Sequence, residues 1–200
     1  DDSIIFLRQF FPSVRVIENK GNFGYAKGYN LALKEIEADY YVLLNSDVEV
    51  TEKWIEPVIG MMENNSDIVA RQPKIRDYKK RDFFEYAGAA GGFIDKYGYP
   101  FCRGRIFNVI EKDEGQFDNA VEVFWATGAC LFVRSKSFWQ VGGLDADYFA
   151  HMEEIDLCWR LKNMNYKIFV QPASTIYHVG GGTLNKSSSH KTFLNFRNNL

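Results

Sequence analysis

The sequence predicts an α/β domain with a mostly parallel central sheet flanked by helices. Strand-like and helix-like segments alternate, which favours α/β over an all-β domain. Tyr40–Leu44 reads YYVLL, an almost continuous apolar run of the kind central parallel strands show when both faces are covered. Polar Asn45, Ser46 and Asp47 follow at once, at the carboxyl end of that strand, where open α/β sheets place ligands.

Val14–Glu18 (VRVIE) is β-like, and the Gly- and Asn-rich stretch 19–30 leads into an amphipathic helix ending near Ile36. Thr51 is a candidate cap for the next helix, with Trp54, Val58, Ile59 and Met62 on its apolar side. Ile68–Ala70 is a short strand. Residues 72–122 read as loops and short strands over one rim, rich in Gly and aromatic residues. They suit a structural linker or a substrate-facing rim equally well. Val123–Val133 is a second strong element, and Ser135–Val141 a brief helix broken by Gly142 and Gly143. Glu153–Asn163 is a helix, and Asn165 suits a left-handed C-terminal cap. Lys167–Gln171 and Ser174–Val179 are short strands separated by Pro172.

The 200 residues suit one domain, taken as 1–200, and 46% apolar with 25% charged residues marks a globular chain. Net charge is -2. The densest basic cluster, Lys79, Lys80 and Arg81, is flanked by Asp77 and Asp82, which argues against nucleic acid as a partner. The three cysteines form no CxxC pair and read as buried reduced thiols in a cytoplasmic protein. No signal peptide is evident, and no run reaches the ~18 apolar residues of a spanning helix.

Four stretches could carry chemistry. Asp47, just past a buried strand, suits Mg2+ or Mn2+, since both prefer hard oxygen ligands. Neutral Asn45 suits backbone, ribose or a metal-bound water, and Glu49 ranks lower. Equally, a strand-end Asp serves many turns. In His151-Met152-Glu153-Glu154-Ile155-Asp156, acidic residues crowd a helix start, where the dipole alone favours them. Asp156 and Arg160 have i,i+4 spacing for an ion pair. Glu153 and Glu154 diverge by ~100° around a helix. They make a poor facing pair for hydrolysis, whereas one of them could take a proton from an attacking hydroxyl. His178, followed by Gly180-Gly181-Gly182, could complete a metal site or be structural. In Asn22-Phe23-Gly24-Tyr25-Ala26-Lys27-Gly28-Tyr29-Asn30, Gly24 and Gly28 leave room for a flat base or ribose and Lys27 could steer phosphate; a plain turn and helix start fits too. The stretch is neither a GxGxxG fingerprint nor a Walker A loop.

Taken in order, NKGNFGYAKGYNLAL, YYVLLNSDVEV, ATGACLFVRSKSFWQVGGLDADYF, EEIDLCWRL and YHVGGG, with FRNNL near the end, resemble glycosyltransferase family 2. These are inverting enzymes of the GT-A fold, and the likeness is closest to bacterial rhamnosyltransferase-like members that build cell-surface polysaccharide. It covers about residues 14–200. The resemblance implies donor-binding roles for Asn22, Gly24, Lys27, Gly28, Asn30, Asn45 and Ser46. It implies Asp47 and His178 as holders of Mg2+ or Mn2+, and Thr127, Gly128 and Ala129 as the border between donor sugar and acceptor. Glu154 falls at the usual position of the base, with Glu153 beside it. Asp156 and Arg160 become structural or donor-facing companions. Arg197-Asn198 resembles a motif after the catalytic core, often near a membrane-associating tail.

The implied partners are a nucleotide-sugar donor and a saccharide or lipid-linked glycan acceptor, met in the cytoplasm or at the cytoplasmic face of the inner membrane. Family members begin with a base-contacting strand that has no counterpart here. The expectation is therefore a domain truncated at its N-terminus, with Asp1 and Asp2 no donor site. Sugar nucleotidyl transfer, or glycan binding without catalysis, are the competing readings.

Overall fold

The computed structural model describes residues 2–180 and 189–198. Helix α1 (Ser3–Phe10) opens the chain, and α2 (Gly24–Leu33) follows. Strands β1 (Tyr40–Leu44) and β2 (Val48–Val50) flank the Asn45-Ser46-Asp47 turn, before α3 (Glu56–Glu63) and the long β3 (Ile68–Asp77). The rim carries β4 (Gly92–Ile94), β5 (Pro100–Cys102), β6 (Arg105–Ile106) and β7 (Val109–Ile110). Then come β8 (Val121–Val123), β9 (Cys130–Arg134), α4 (Ser135–Gln140), α5 (Glu153–Asn163), β10 (Lys167–His178) and α6 (Ser189–Asn198).

The main sheet has six strands in the order β1-β9-β3-β10-β2, with β8 also paired to β10. Its pairings overturn the expectation of a mostly parallel sheet. Only β3 and β10 run parallel; β1–β9, β3–β9, β10–β2 and β10–β8 are antiparallel. The apolar run in β1 misled for a specific reason. Tyr41 and Leu43 enter one core with Ala26 and Leu33 of α2. Tyr40, Val42 and Leu44 pack on the other side against a core with Val58 and Met62 of α3. Helices on both faces make a strand apolar throughout; the direction of the neighbouring strand leaves no mark on that pattern.

Other boundaries shift too. Val14–Glu18 is irregular, because among the described residues no strand pairs with it. The helix expected to reach Ile36 ends at Leu33. Thr51 does not cap α3: its hydroxyl donates to Thr175 O at 2.8 Å, tying the end of β2 to β10. The element expected over Val123–Val133 is two strands separated by a turn at Thr127–Ala129. The two strands expected around Pro172 are one, with a ladder irregularity between Gln171 and Thr175. Proline cannot donate to a ladder, so the strand bulges rather than ends. Asn165 does adopt the left-handed conformation, at φ 61. Gly181, Gly182, Asp1 and the final Asn-Leu lie outside the described residues.

Buried polar groups fasten the rim to the sheet. Gln72, wholly buried on β3, donates to Gly88 O at 2.8 Å and accepts from Thr127 N at 2.9 Å. Lys74 donates to the buried Asp113 carboxylate at 2.8 Å, and Arg76 Nε donates to the same group at 2.7 Å. Replacing Gln72 with Leu would leave Thr127 N–H buried and unpaired, while Gly88 C=O would keep the N–H of Gly91 at 2.8 Å. Such an orphaned group costs ~1–3 kcal/mol. Urea denaturation of the Gln72→Leu variant is expected to show ~1–3 kcal/mol less stability than wild type, by the same principle.

Candidate active site

Two acidic stations lie at the ends of the elements just described. The first is the turn between β1 and β2. Asn45 N donates to Ala129 O at 3.0 Å, and Val179 N donates to Asp47 O at 3.0 Å. Asp47 is thus held between the 127–129 turn and the end of β10. From β10, His178 brings Nε2 to 3.2 Å from Asp47 Oδ1. Its other nitrogen, Nδ1, lies 3.5 Å from Glu85 Oε1, an ion-pair distance without hydrogen-bond geometry. Burial pulls the His178 pKa down, but the Glu85 and Asp47 carboxylates outweigh it, and the net shift is upward.

The second station is the first turn of α5. Cys158 Sγ accepts Ala126 N–H at 3.4 Å, so this face of the helix packs against the 126–128 segment. Glu154, one turn earlier on that face, comes against Gly128: a methyl at Gly128 would lie 3.8 Å from Glu154 Cβ. Tyr25 of α2 closes the same place, its hydroxyl donating to Gly128 O at 2.6 Å. Burial raises the pKa of both glutamates. For Glu153, 5% exposed, the Glu154 carboxylate adds to the rise. For Glu154 the backbone N–H groups of Glu154, Gly128 and Ile155 work against it. One carboxylate oxygen of each has no hydrogen-bond partner. Two buried acids side by side hold protons more tightly than free ones, which suits a group that must accept a proton near neutral pH.

The backbone leading into α5 is strained. His151 and Met152 are both left-handed, at φ 71. Such residues cost ~1–3 kcal/mol each and persist where the surroundings hold them. Here α2 holds one side, with Tyr25 N donating to Phe149 O at 2.7 Å. Helix α6 holds the other: Asn198 Nδ2 donates to Ala150 O at 2.9 Å and His151 O at 2.7 Å, and Arg197 donates to Asp147 O at 3.0 Å. Gly24 is what lets α2 come so close. It sits at φ +73, and a β-carbon there would fall 2.2 Å from Phe149 O.

The remaining residues singled out in the sequence are placed as follows. Asn22 Oδ1 accepts Gly24 N–H at 3.1 Å, a turn contact. Lys27 is exposed and lies over the Phe23 ring. Gly28 O accepts from Asn19 Nδ2 at 3.3 Å. Asn30 uses its amide on Leu144, donating to O at 2.6 Å and accepting from N at 3.0 Å, so it ties α2 to the segment before α5. Ser46 is exposed, and Thr127 is buried with Oγ1 accepting Ala129 N–H at 3.3 Å. The expected Asp156–Arg160 ion pair forms at 2.6 Å, and Arg160 also donates to Gly143 O at 2.7 Å. Glu49 turns away to Arg81, at 2.9 Å.

Sequence reasoning did not single out Tyr25 or Glu85. Tyr25 lay inside the glycine-rich stretch, with no local pattern to set it apart from its neighbours. Glu85 lay in the unperiodic rim, with no pattern to mark it. All three cysteines are buried and free, as expected, and burial pushes the Cys158 thiol up to about 12.

Among the described residues no group of three or more His, Cys, Asp or Glu could hold a metal alone. Asp47 and His178 offer one carboxylate oxygen and one imidazole nitrogen. That donor set fits a cation completing its shell with diphosphate oxygens and water. Among the described residues no helix is long and apolar enough to cross a membrane.

Comparisons with known proteins agree with this architecture. The chain is 27% identical over 201 residues to N-acetylglucosaminyl-diphospho-decaprenol L-rhamnosyltransferase of Mycobacterium tuberculosis (strain ATCC 25618 / H37Rv), covering 91% of this chain and 64% of that protein. It is 25% identical to the low-salt glycan biosynthesis hexosyltransferase Agl10 of Haloferax volcanii, over 96% of this chain and 61% of that protein. It is also 25% identical to rhamnosyltransferase WbbL of Escherichia coli (strain K12), over 79% of this chain and 61% of that protein. The chain thus spans about three fifths of the length of these curated relatives. Its fold matches GalNAc-T7, solved with UDP, GalNAc and Mn2+, at a TM-score of 0.66 and 12% identity, over 89% of this chain and 34% of that one. The model of glycosyl transferase family 2 matches residues 1–142, which include the Asp47 turn and the Thr127–Ala129 turn and stop short of α5 and His178. With well over half of its length matched, the chain belongs to glycosyl transferase family 2.

Proposed function

We propose that the protein transfers a sugar from a nucleoside-diphosphate donor to an acceptor hydroxyl, with inversion at the anomeric carbon. Rhamnose is the leading donor sugar, and the acceptor a lipid-linked glycan of the cell surface, met at the cytoplasmic face of the inner membrane. The names of the bacterial relatives support this choice of sugar and acceptor.

One observation carries the reading. The 127–129 turn touches both acidic stations: Ala129 O anchors Asn45, two residues before Asp47, and Gly128 lies against Glu154. A substrate lying along that turn would have a diphosphate-binding end and a proton-accepting end.

The Glu154 carboxylate takes the proton of the acceptor hydroxyl. The freed oxygen pair forms a bond to the anomeric carbon as the carbon–oxygen bond to phosphate breaks, and the diphosphate leaves with that electron pair. Asp47 and His178 would hold Mg2+ or Mn2+, which when bound would supply positive charge for the departing diphosphate. Glu153, buried beside Glu154, raises the proton affinity of the pair. In this reading Asn22, Gly24, Lys27, Gly28, Asn45, Ser46, Thr127 and Gly128 would contact the donor, while Asn30, Asp156 and Arg160 hold the loop before α5. Along the opposite face of α5 runs a groove of about 440 Å³ lined by Tyr97, Tyr99, Tyr148, Met152 and Trp159, among others. Glu154 does not line this groove, so its aromatic faces suit sugar rings of the acceptor glycan beyond the one that carries the reacting hydroxyl.

Glu154→Gln should lower kcat by ~10² or more, the usual range for loss of a general base. Donor affinity by calorimetry should be little changed; wild-type turnover in this variant would remove Glu154 from the role. Asp47→Ala should abolish the dependence of transfer on added Mn2+ and weaken donor binding, and unchanged Mn2+ activation would rule it out as a ligand. The pH profile gives a third check. Base catalysis needs ionised Glu154, whose pKa is raised by burial. The acid limb of kcat should therefore lie above the ordinary 4.5 of glutamate, with activity lost as pH falls through it. Glu154→Gln should lose that limb.

A further inference from the structure

We infer that Glu85 is a positioning residue, holding the His178 proton on Nδ1 so that Nε2 turns its lone pair toward Asp47 and the cation. The inference rests on His178 being a cation ligand, as proposed above, and adds what makes it one.

Glu85 is 5% exposed, in the rim between β3 and β4 and far in sequence from the glycine-rich and acidic motifs. A carboxylate so deeply buried is costly unless it is partnered. Its Oε2 accepts Ala87 N–H at 2.6 Å, and its own N–H donates to Ile75 O at 3.0 Å, so both ends of the residue are tied down. That leaves Oε1 facing His178 Nδ1 at 3.5 Å. Gly180 makes the space: a β-carbon there would lie 3.0 Å from Oε1, and its φ of +67 disfavours any side chain.

A neutral imidazole carries one proton on two nitrogens, and only the bare nitrogen can bind a metal. Nε2 faces Asp47 at 3.2 Å. A cation there would take the place of the proton that Nε2 shares with Asp47, leaving the ring's one proton on Nδ1, on the side of Glu85 Oε1. A carboxylate behind a ligating histidine also makes the imidazole more basic toward the metal.

The test titrates Mn2+ alone into the purified full-length protein and reads free Mn2+ by electron paramagnetic resonance. Loss of such a partner is expected to weaken metal affinity ~10–100-fold. Glu85→Ala should fall in that range and the near-isosteric Glu85→Gln toward its lower end; circular dichroism shows whether each is folded, and Glu85→Gln alone decides if the alanine variant is not. His178→Ala should bind Mn2+ at least as weakly. Because Glu85 acts through His178, adding Glu85→Ala to His178→Ala should change affinity by less than about twofold. Wild-type affinity in the folded Glu85 variants, with loss in His178→Ala, would overturn the positioning role and leave the cation site standing. A full additive loss in the double variant would overturn it too. Undiminished affinity in His178→Ala would instead remove the cation site itself, and Glu85's role with it.

Discussion

The buried amide of Gln72 is the contact on which the site's geometry turns. It is fully enclosed on β3, and it joins three parts of the chain: its own strand, Gly88 of the rim and Thr127 of the turn before β9. An amide has both a donor and an acceptor, so one side chain can satisfy a carbonyl and an N–H that face it from different segments. No apolar residue could do this. The 127–129 turn is thereby set relative to the sheet, and through Asn45 and Gly128 it reaches the Asp47 end and the α5 end alike.

Electrostatics divides the molecule into two kinds of carboxylate. Asp113 is buried against Lys74 and Arg76. Burial pushes its pKa up, but hydrogen bonds from those two cations outweigh this, and the net shift is down. Its contribution to stability is present above the unfolded carboxylate range and fades as pH falls through the lowered value. Glu153 and Glu154 have the opposite sign. Their folded pKa values are raised by burial, so their contribution is present at acid pH and is lost as pH rises past the unfolded value. The rim is fastened by the first kind. The second kind weakens the fold at neutral pH and supplies proton-accepting power at the start of α5. The left-handed His151 and Met152 add local strain at the same place, borne by α2 and α6.

Much of the chain could be read without coordinates where a local rule operates. Glu153–Asn163 shows acidic residues in its first turn, Arg160 and Lys162 in its last, and apolar residues at helical spacing; it is helical over that span. Asn165 is left-handed, as a short polar side chain after a helix allows. The approach of His178 to Asp47, across 131 positions, was foreseen only through a family resemblance. Spacing alone does not measure distance between strands. Asn30 shows the reverse: in a donor-like motif by sequence, it spends its amide on Leu144 backbone.

By itself the sequence determined the strand Tyr40–Leu44 and the helices after Ser135 and over Glu153–Asn163, that YYVLL lies covered on both faces, and that acidic residues stand at a strand end and a helix start. These follow from propensity, periodicity and capping, which act within a few residues. Only the tertiary structure decided that the sheet is mostly antiparallel, that β10 runs unbroken past Pro172, and that Glu85 reaches His178. Strand direction and the meeting of distant side chains depend on how connections cross the sheet and which backbone groups find partners. Those interactions have no fixed spacing along a chain.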